Sequence, residues 1–463
     1  MTDDETRQIA DEGEPEALYA LRPAVVRAIS AALAEGRSLR VVRLVLPLHY
    51  TDVADLLERL SPDERRQVVT LIRSRFDPET LTELDPAVRD EVTDYLGTDG
   101  LAAAVTELDS DDAMEVIEEL DDDVQQQVLE AIPAEERVIL EEGLAYPEDS
   151  AGRLMQREVL AVPAFWTVGE TIDHVRESTN LPDEFYDIVI VDPRHRPVGT
   201  VRLSRMLRSK RPVRMRDIME SDPKVIPATL DQEEVARVFR QHDLVSAPVV
   251  DEGGRLLGVI TIDDVVDVID EEHEEDFMHL GGIKEDDLYR AALATAGSRF
   301  TWLLLNLGTA LLASLVIGAF AGTIQQIVAL AVLMPIVASM GGNAGTQTLT
   351  VIVRALATKD LTISNAARVI GKELLVGGFN GILFAVLAGI VAGLWFKSVA
   401  IGAVMGSAMI VNLVVAGLAG TLIPLGLERR GIDPAVASGI FLTTITDVVG
   451  FFAFLGLATW VLL

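Results

Sequence analysis

Two hydrophobic patterns divide the chain. Up to about residue 298, apolar residues recur at short helical or alternating spacings among many charged ones; beyond it, long and almost uncharged stretches follow one another. Five of these stretches (300–320, 324–344, 369–396, 399–425 and 434–463) are long enough to cross a bilayer as helices. An all-α membrane domain of five spans is therefore predicted. Upstream, from 52 to about 142, a phrase recurs: RLSPDERRQVV, ELDPAVRDEV, ELDSDDAMEVI, ELDDDVQQQVL, AIPAEERVIL. In each, a leucine or isoleucine ends an amphipathic stretch, and a capping Ser or Asp with Pro or an acid opens the next. The recurring positions Leu60, Leu84, Leu108, Leu120 and Ile132 are 24, 24, 12 and 12 residues apart, which predicts a stack of short helices. From 155 to about 269 the pattern changes to alternating strands and helices, twice in the order β-α-β-β-α.

Charge sharpens this division. The chain carries 39 basic and 72 acidic residues, and from Arg299 onward there are 8 and 5. The first 298 residues thus hold 31 against 67, a balance of −36, while the apolar part is +3. So acidic a polar half argues against nucleic acid as a partner and suggests solvated surfaces or cations. Absence of cysteine removes disulfides, thiolate metal sites and cysteine nucleophiles together. The opening MTDDETRQIADEGEPE is no signal peptide, so the polar half is expected in the cytoplasm. Arg354, Lys359 and Arg368 follow the second span and Arg429 and Arg430 the fourth, with only Lys397 on the other side. The positive-inside rule then puts the amino-terminal domains in the cytoplasm and the carboxyl terminus outside the cell (inner) membrane.

Two polar features inside the apolar half raise the chemistry. MGGNAGTQTLT, from Met340 to Thr350, places Asn343 and Gln347 four residues apart on one helical face, among Gly341, Gly342 and Gly345. In the last span, FLTTITDVVGFF carries Asp447 as its only acid, with Thr443 one turn before it. Small residues alone are accounted for by helix packing. A lone intramembrane carboxylate points to function, and with Asn343 it suggests a pore lining. Amide, hydroxyl and carboxylate groups in a wide ring suit magnesium, which dehydrates reluctantly and keeps several waters. An intramembrane protease is excluded for want of a catalytic pair: the last histidine, His279, precedes the spans, and no second acid completes a dyad. A membrane-anchored sensor without transport leaves Asp447 and GGNAG unexplained. A transporter of Mn²⁺, Co²⁺ or Ni²⁺ remains open, since the absence of cysteine and of membrane histidine argues only against tight sites for softer ions.

The two β-α-β-β-α copies resemble a pair of CBS domains, in the second copy through APVVDEGGRLLGVITIDDVVDVI. CBS pairs often bind adenine nucleotides such as ATP. The matching positions are Thr261 and Asp264; in the first copy LSRML lacks the acid. With an acidic helical domain before the pair, an acidic connecting helix (VIDEEHEEDF) after it and five spans carrying P-(x)5-G-G-N-A-G-x-Q, the whole chain resembles the MgtE family of magnesium channels. That resemblance implies a multidomain fold: a helical acidic domain over 1–150, a tandem CBS pair over 151–270, a connecting helix over 271–298 and a pore domain over 299–463. It also implies a homodimer in the lipid bilayer with Asp447 as the pore ligand. Further, it implies Mg²⁺ between the cytoplasmic domains in a closed state, at Asp231, Glu233, Asp243, Asp264 and Asp267. Glu272, Glu275 and Asp276 on the connecting helix and Asp433 in the loop RRGIDPA join them, with Asp111 or Asp112 among further acids.

Overall fold

The structure, a computed structural model, describes residues 21–178, 181–182, 185–283, 292–362 and 364–463. The chain divides into two compact units, one ending at Glu271 and the other beginning at Glu272.

The first unit opens with helices α1 (Pro23–Ala34), α2 (Ser38–Val45), α3 (Tyr50–Arg59), α4 (Pro62–Ile72), α5 (Pro86–Glu107), α6 (Ser110–Glu118), α7 (Asp122–Ala131) and α8 (Ala134–Leu144). The recurring leucines mark the breaks between them. Leu60, Leu108 and Ile132 leave their helices in extended backbone, with ψ of 149°, 155° and 159°. Leu60 and Ile132 drop into the domain core. Two of the breaks are followed by a side-chain cap: Ser61 and Glu64 close a capping box on α4, and Asp85 accepts the Ala87 N–H at 2.9 Å at the start of α5. Such caps contribute about 1 kcal/mol each, enough to fix where a short helix starts. Gly97 splits α5, because at φ 65° only glycine sits without strain.

After α9 (Ala151–Leu154) come β1 (Ala161–Pro163), α10 (Val168–Glu177), β2 (Asp187–Val191), β3 (Pro197–Arg202) and α11 (Leu203–Leu207). A second round follows: α12 (Met215–Ile218), β4 (Glu220–Ser221), β5 (Ile226–Pro227), α13 (Gln232–His242), β6 (Ser246–Val250), β7 (Leu256–Thr261) and α14 (Ile262–Gly281). β1 runs parallel to β2 and β2 antiparallel to β3, with β4 extending that sheet; β5, β6 and β7 repeat the arrangement. The duplication extends to detail. Both hairpins shift register at the same place, Ile190/Val191 and Val249/Val250. In both turns an aspartate, Asp192 or Asp251, accepts a backbone N–H four residues on, from Arg196 at 2.9 Å and Arg255 at 2.8 Å. Leu256 to Gly281 is a strand running directly into one continuous helix; the helix that closes the second copy and the acidic connecting run up to Gly281 form a single element, α14.

The second unit contains α15 (Ala292–Ala319), α16 (Ala321–Gln326), α17 (Ala329–Ala357), α18 (Ala366–Trp395), α19 (Val399–Glu428) and α20 (Pro434–Leu462). Five of them are long and apolar enough to cross a membrane. The second span differs from the sequence expectation of 324–344. Residues 321–326 form the separate short α16, and α17 continues to Ala357, carrying MGGNAGTQTLT in its interior. Gly341 and Gly345 do not end this helix because Asn412 of α19 and Leu442 of α20 pack against them. The most enclosed helix is α19. A Cβ at Gly406 would lie 2.9 Å from the Ala385 carbonyl on α18, at Gly417 3.0 Å from that of Glu373, and at Gly420 2.8 Å from that of Gly345 on α17. Backbone-to-backbone approach of this kind is how apolar helices associate where lipid offers no hydrophobic drive.

Candidate functional site

α17 and α20 pack together, with the Leu442 side chain filling the space that a Cβ at Gly345 would need. The polar face of each helix remains open. Asn343, Thr346, Gln347 and Thr350 on α17 are exposed, as is Thr443 on α20, and Asp447 is half-exposed. Thr443, Thr444 and Thr446 return their hydroxyls to carbonyls of their own helix at 2.7–3.1 Å, with Thr443 bonded to Gly439 and Thr446 to Leu442. Asn343 makes one long contact, 3.5 Å to Ser339 Oγ. Among the described residues no hydrogen bond or ion pair reaches the Asp447 carboxylate. A membrane segment presenting amides, hydroxyls and a carboxylate on its outer face needs water or protein over that face, because lipid offers no partners.

Two polar groups inside this unit escape a reading of the sequence alone. Glu373 on α18, 8 % exposed, accepts the Thr348 hydroxyl of α17 at 3.1 Å through one carboxylate oxygen and lies 3.4 Å from Lys372 Nζ through the other. Asn412, wholly buried on α19, donates to the Val337 carbonyl of α17 at 2.7 Å. The signal for Asn412 is present in GSAMIVNLVVAG, a lone amide in an apolar span, the same criterion that singles out Asp447. At the other end of this unit, α14 meets the loop before α20. His279 Nδ1 lies 3.3 Å from Asp433 and 3.6 Å from Glu275, and Leu280 packs against the apolar cluster of Leu349, Val353, Ala419, Ala435 and Leu442. Burial, then Asp433 and Glu275, pushes the Asp276 carboxyl up. Asp433 also caps α20 through the Ala435 N–H at 2.8 Å.

In the first unit, carboxylates converge from the helical part and from the start of α14. Asp111, Asp112, Glu115 and Glu119 come from α6 and its end; Asp264, Asp267 and Glu271 come from α14. Burial raises Asp112 to about 7, with Asp264 and Glu115 adding repulsion. Asp264 is likewise raised to about 7, chiefly by burial, and Glu271 to about 7 by burial, then Glu115 and Asp267. Asp111 rises well above the carboxylate range, by burial and then by Asp264. A cation among them, Arg89, is spent inside the helical domain on Glu115 at 2.8 Å and Glu119 at 3.3 Å. Neutral donors hold the two parts together beside the cluster: Gln156 Nε2 to Asp109 at 2.7 Å, and Ser110 Oγ to Glu158 at 2.7 Å. Among the described residues no three carboxylates lie close enough to hold one ion directly.

The other residues expected at the sensor and nucleotide sites lie elsewhere in this unit. Asp231 caps α13 through the Glu233 N–H at 3.0 Å, so both residues sit at that helix start. Asp243 takes a left-handed turn (φ 50°) and lines a cavity of about 430 Å³ between the two β-α-β-β-α copies. Thr261 and Asp264, the expected nucleotide contacts, do not line that cavity. Asp264 instead accepts the Thr261 hydroxyl at 2.8 Å, as a cap turned toward Asp111 and Asp112. The cavity walls include Tyr186, Asp187, Arg202, Lys224 and Ser246; Ser246 donates to Asp187 at 3.0 Å, and burial raises the Asp187 carboxyl. Glu115, Glu119 and Glu271 escape the sequence because nothing in a run of acids marks which ones another element covers.

Comparison with known proteins agrees with this layout. Residues 334–457 match a family model described as a divalent cation transporter, MgtE; 48–149 match the MgtE intracellular N domain, and 215–271 a CBS domain. The magnesium transporter MgtE of Bacillus subtilis (strain 168) is 30% identical over 409 residues, covering 88% of this chain and 91% of the relative. That of Thermus thermophilus is 31% identical over 437 residues, covering 93% and 97%. The crystal structure of the cytosolic domain of the Mg²⁺ channel MgtE in complex with ATP is 30% identical, with a TM-score of 0.49, covering 52% of this chain and 99% of that one. The chain belongs to the MgtE family, a family of multi-pass membrane transporters of divalent cations.

Proposed function

We propose that this protein conducts Mg²⁺ through a homodimeric membrane pore and that Mg²⁺ bound among its cytoplasmic carboxylates closes it. The observation that carries the pore reading is the exposed polar face of α17 and α20, with Asn343, Gln347 and Thr443 open and Asp447 unpaired among the described residues. A two-fold axis beside this face covers it with its own copy and brings two Asp447 carboxylates together. Two unit charges with a ring of amides and hydroxyls suit a divalent ion that retains its waters. Asp447 supplies the attraction; Asn343, Gln347 and Thr443 orient the waters; Gly341, Gly342 and Gly345 let the helices approach.

Closure follows from the raised carboxylates. Asp111, Asp112, Asp264, Asp267 and Glu271 repel one another across the helical domain and α14 when ionised, and Mg²⁺ turns that repulsion into bridging. Glu272, Glu275, Asp276 and Asp433 extend the same chemistry to the membrane end of α14. Asp231 and Glu233 lie at the start of α13, where they would join a sensor only through a further ion. The nucleotide, in this reading, takes the cavity rather than Thr261: Tyr186 offers an aromatic face for a base, Asp187 and Asp243 accept ribose hydroxyls, and Arg202 and Lys224 face phosphates. The orientation follows loop charge, with the carboxyl terminus outside.

Flux of a divalent panel into liposomes holding the purified protein and an ion-sensitive dye tests this. Mg²⁺ should lead Mn²⁺, Co²⁺ and Ni²⁺. Preferential flux of one of those would transfer the pore to another ion, and no flux at all would leave only a sensor.

A further inference from the structure

Asn412 is an amide in the middle of α19 with no exposed surface. Its Nδ2 donates to the Val337 carbonyl of α17 at 2.7 Å, while its Oδ1 has no partner among the described residues. A leucine of similar size would satisfy this apolar site without leaving an amide oxygen unpaired, so packing stability does not account for an asparagine there. Its surroundings do. A Cβ added at Gly341 on α17 would collide with the Asn412 amide, and one added at Gly450 on α20 would lie 2.9 Å from Nδ2 and 3.0 Å from Oδ1. The amide therefore occupies a niche that two glycines on two different helices leave open. Gly341 stands two residues before Asn343 and Gly450 three after Asp447. At the helical rise these are separations of about 3 Å and about 4.5 Å along the axes. One side chain on a third helix thus touches both polar-faced helices within a turn of the groups that line the path.

We infer that Asn412 is a positioning residue for ion conduction, its amide wedged between Gly341 and Gly450 to set the spacing of Asn343 on α17 relative to Asp447 on α20. The inference rests on the pore reading above. Asn412 touches no ion; it acts through the two helices it spaces. The hydrogen bond to Val337 fixes the wedge on α17, and the free Oδ1 leaves the α20 side held by shape alone, so the spacing is sensitive to the volume at position 412.

The full-length protein in dye-loaded liposomes tests this with four variants and wild type. Asn412→Leu should lower Mg²⁺ flux about tenfold, the scale of one lost buried hydrogen bond, and change the ratio of Mg²⁺ to Mn²⁺ flux. Gly341→Ala should lower flux by forcing the amide aside, and Gly341→Ala combined with Asn412→Ala should conduct better than Gly341→Ala alone. Thermal stability in detergent is read alongside: a residue that only packs would shift melting and leave the ion ratio of the surviving protein unchanged. Wild-type flux and ion ratio in Asn412→Leu, or a double variant no better than Gly341→Ala, would overturn the inference. Should Asn412→Leu not fold, the glycine pair decides by itself. Asp447→Ala in the same series keeps the two claims apart. Loss of flux there with an unaffected Asn412→Leu sinks only the positioning role, whereas intact flux there sinks the pore.

Discussion

Replacing Asp264 by asparagine isolates the electrostatic part of the gating proposal. The carboxylate is raised from 3.8 to about 7, chiefly by burial, against the opposing pull of its Thr261 hydrogen bond. At 1.36 kcal/mol per pKa unit, holding it ionised at pH 8 costs about 4 kcal/mol, and screening by solvent around its partly exposed neighbours reduces this to about 2 kcal/mol. Asparagine removes the charge and still accepts from Thr261, whose hydroxyl lies 2.8 Å from the present oxygen. In Mg²⁺-free buffer at pH 8, Asp264→Asn should therefore slow amide hydrogen exchange in α6 and the first half of α14 by about 30-fold, the equivalent of about 2 kcal/mol. Added Mg²⁺ should then protect these segments less than in wild type, since part of the repulsion is already gone. Exchange that is unchanged or faster in Asp264→Asn without Mg²⁺ would refute the argument that ionised Asp264 pushes the two parts apart.

Acid should imitate the metal. Asp112, Asp264 and Glu271 all titrate at about 7 in the folded chain, above their unfolded values, so folding takes up protons. That contribution is complete at low pH and is lost as pH rises through about 7, so Mg²⁺-free protein should show more protection of α6 at pH 6 than at pH 8 after correction for intrinsic exchange; a flat profile contradicts it. A cysteine at Gly439, where an added Cβ meets nothing within 4 Å, should crosslink two copies in a chain with no native cysteine; a monomeric product under oxidation argues against the dimer. Gly420→Val should lower thermal stability by about 1–3 kcal/mol, since its Cβ would lie 2.8 Å from the Gly345 carbonyl; an unchanged melting temperature refutes that packing.

Much of the architecture is legible because its signals are local. Leucine followed by a capping Ser or Asp states a helix end within a few residues, and the twice-written strand–helix order states the duplicated α/β part. Asp447 and Asn343 stand out because a polar side chain in an apolar run needs a reason. What remains hidden depends on pairing between distant segments. Which acids are buried follows from α6 facing α14, so Glu115 and Glu271 look like any other member of their runs. The apolar pattern ends the second span at GGNAG because glycine weakens an isolated helix, whereas the helices packed on Gly341 and Gly345 carry α17 through. That Asp243 lines the cavity between the two β-α-β-β-α copies is likewise hidden, because the cavity is built by segments distant in sequence.

Passage of ions along the polar face of α17 and α20 under the attraction of Asp447 can be measured directly. Wild-type protein and Asp447→Asn, matched for amount and for folding in detergent, are reconstituted into liposomes, and Mg²⁺ entry is followed with an internal dye. The amide keeps the shape and loses the charge, so entry in Asp447→Asn should fall to the level of empty liposomes. Undiminished, Mg²⁺-selective entry in Asp447→Asn would contradict it.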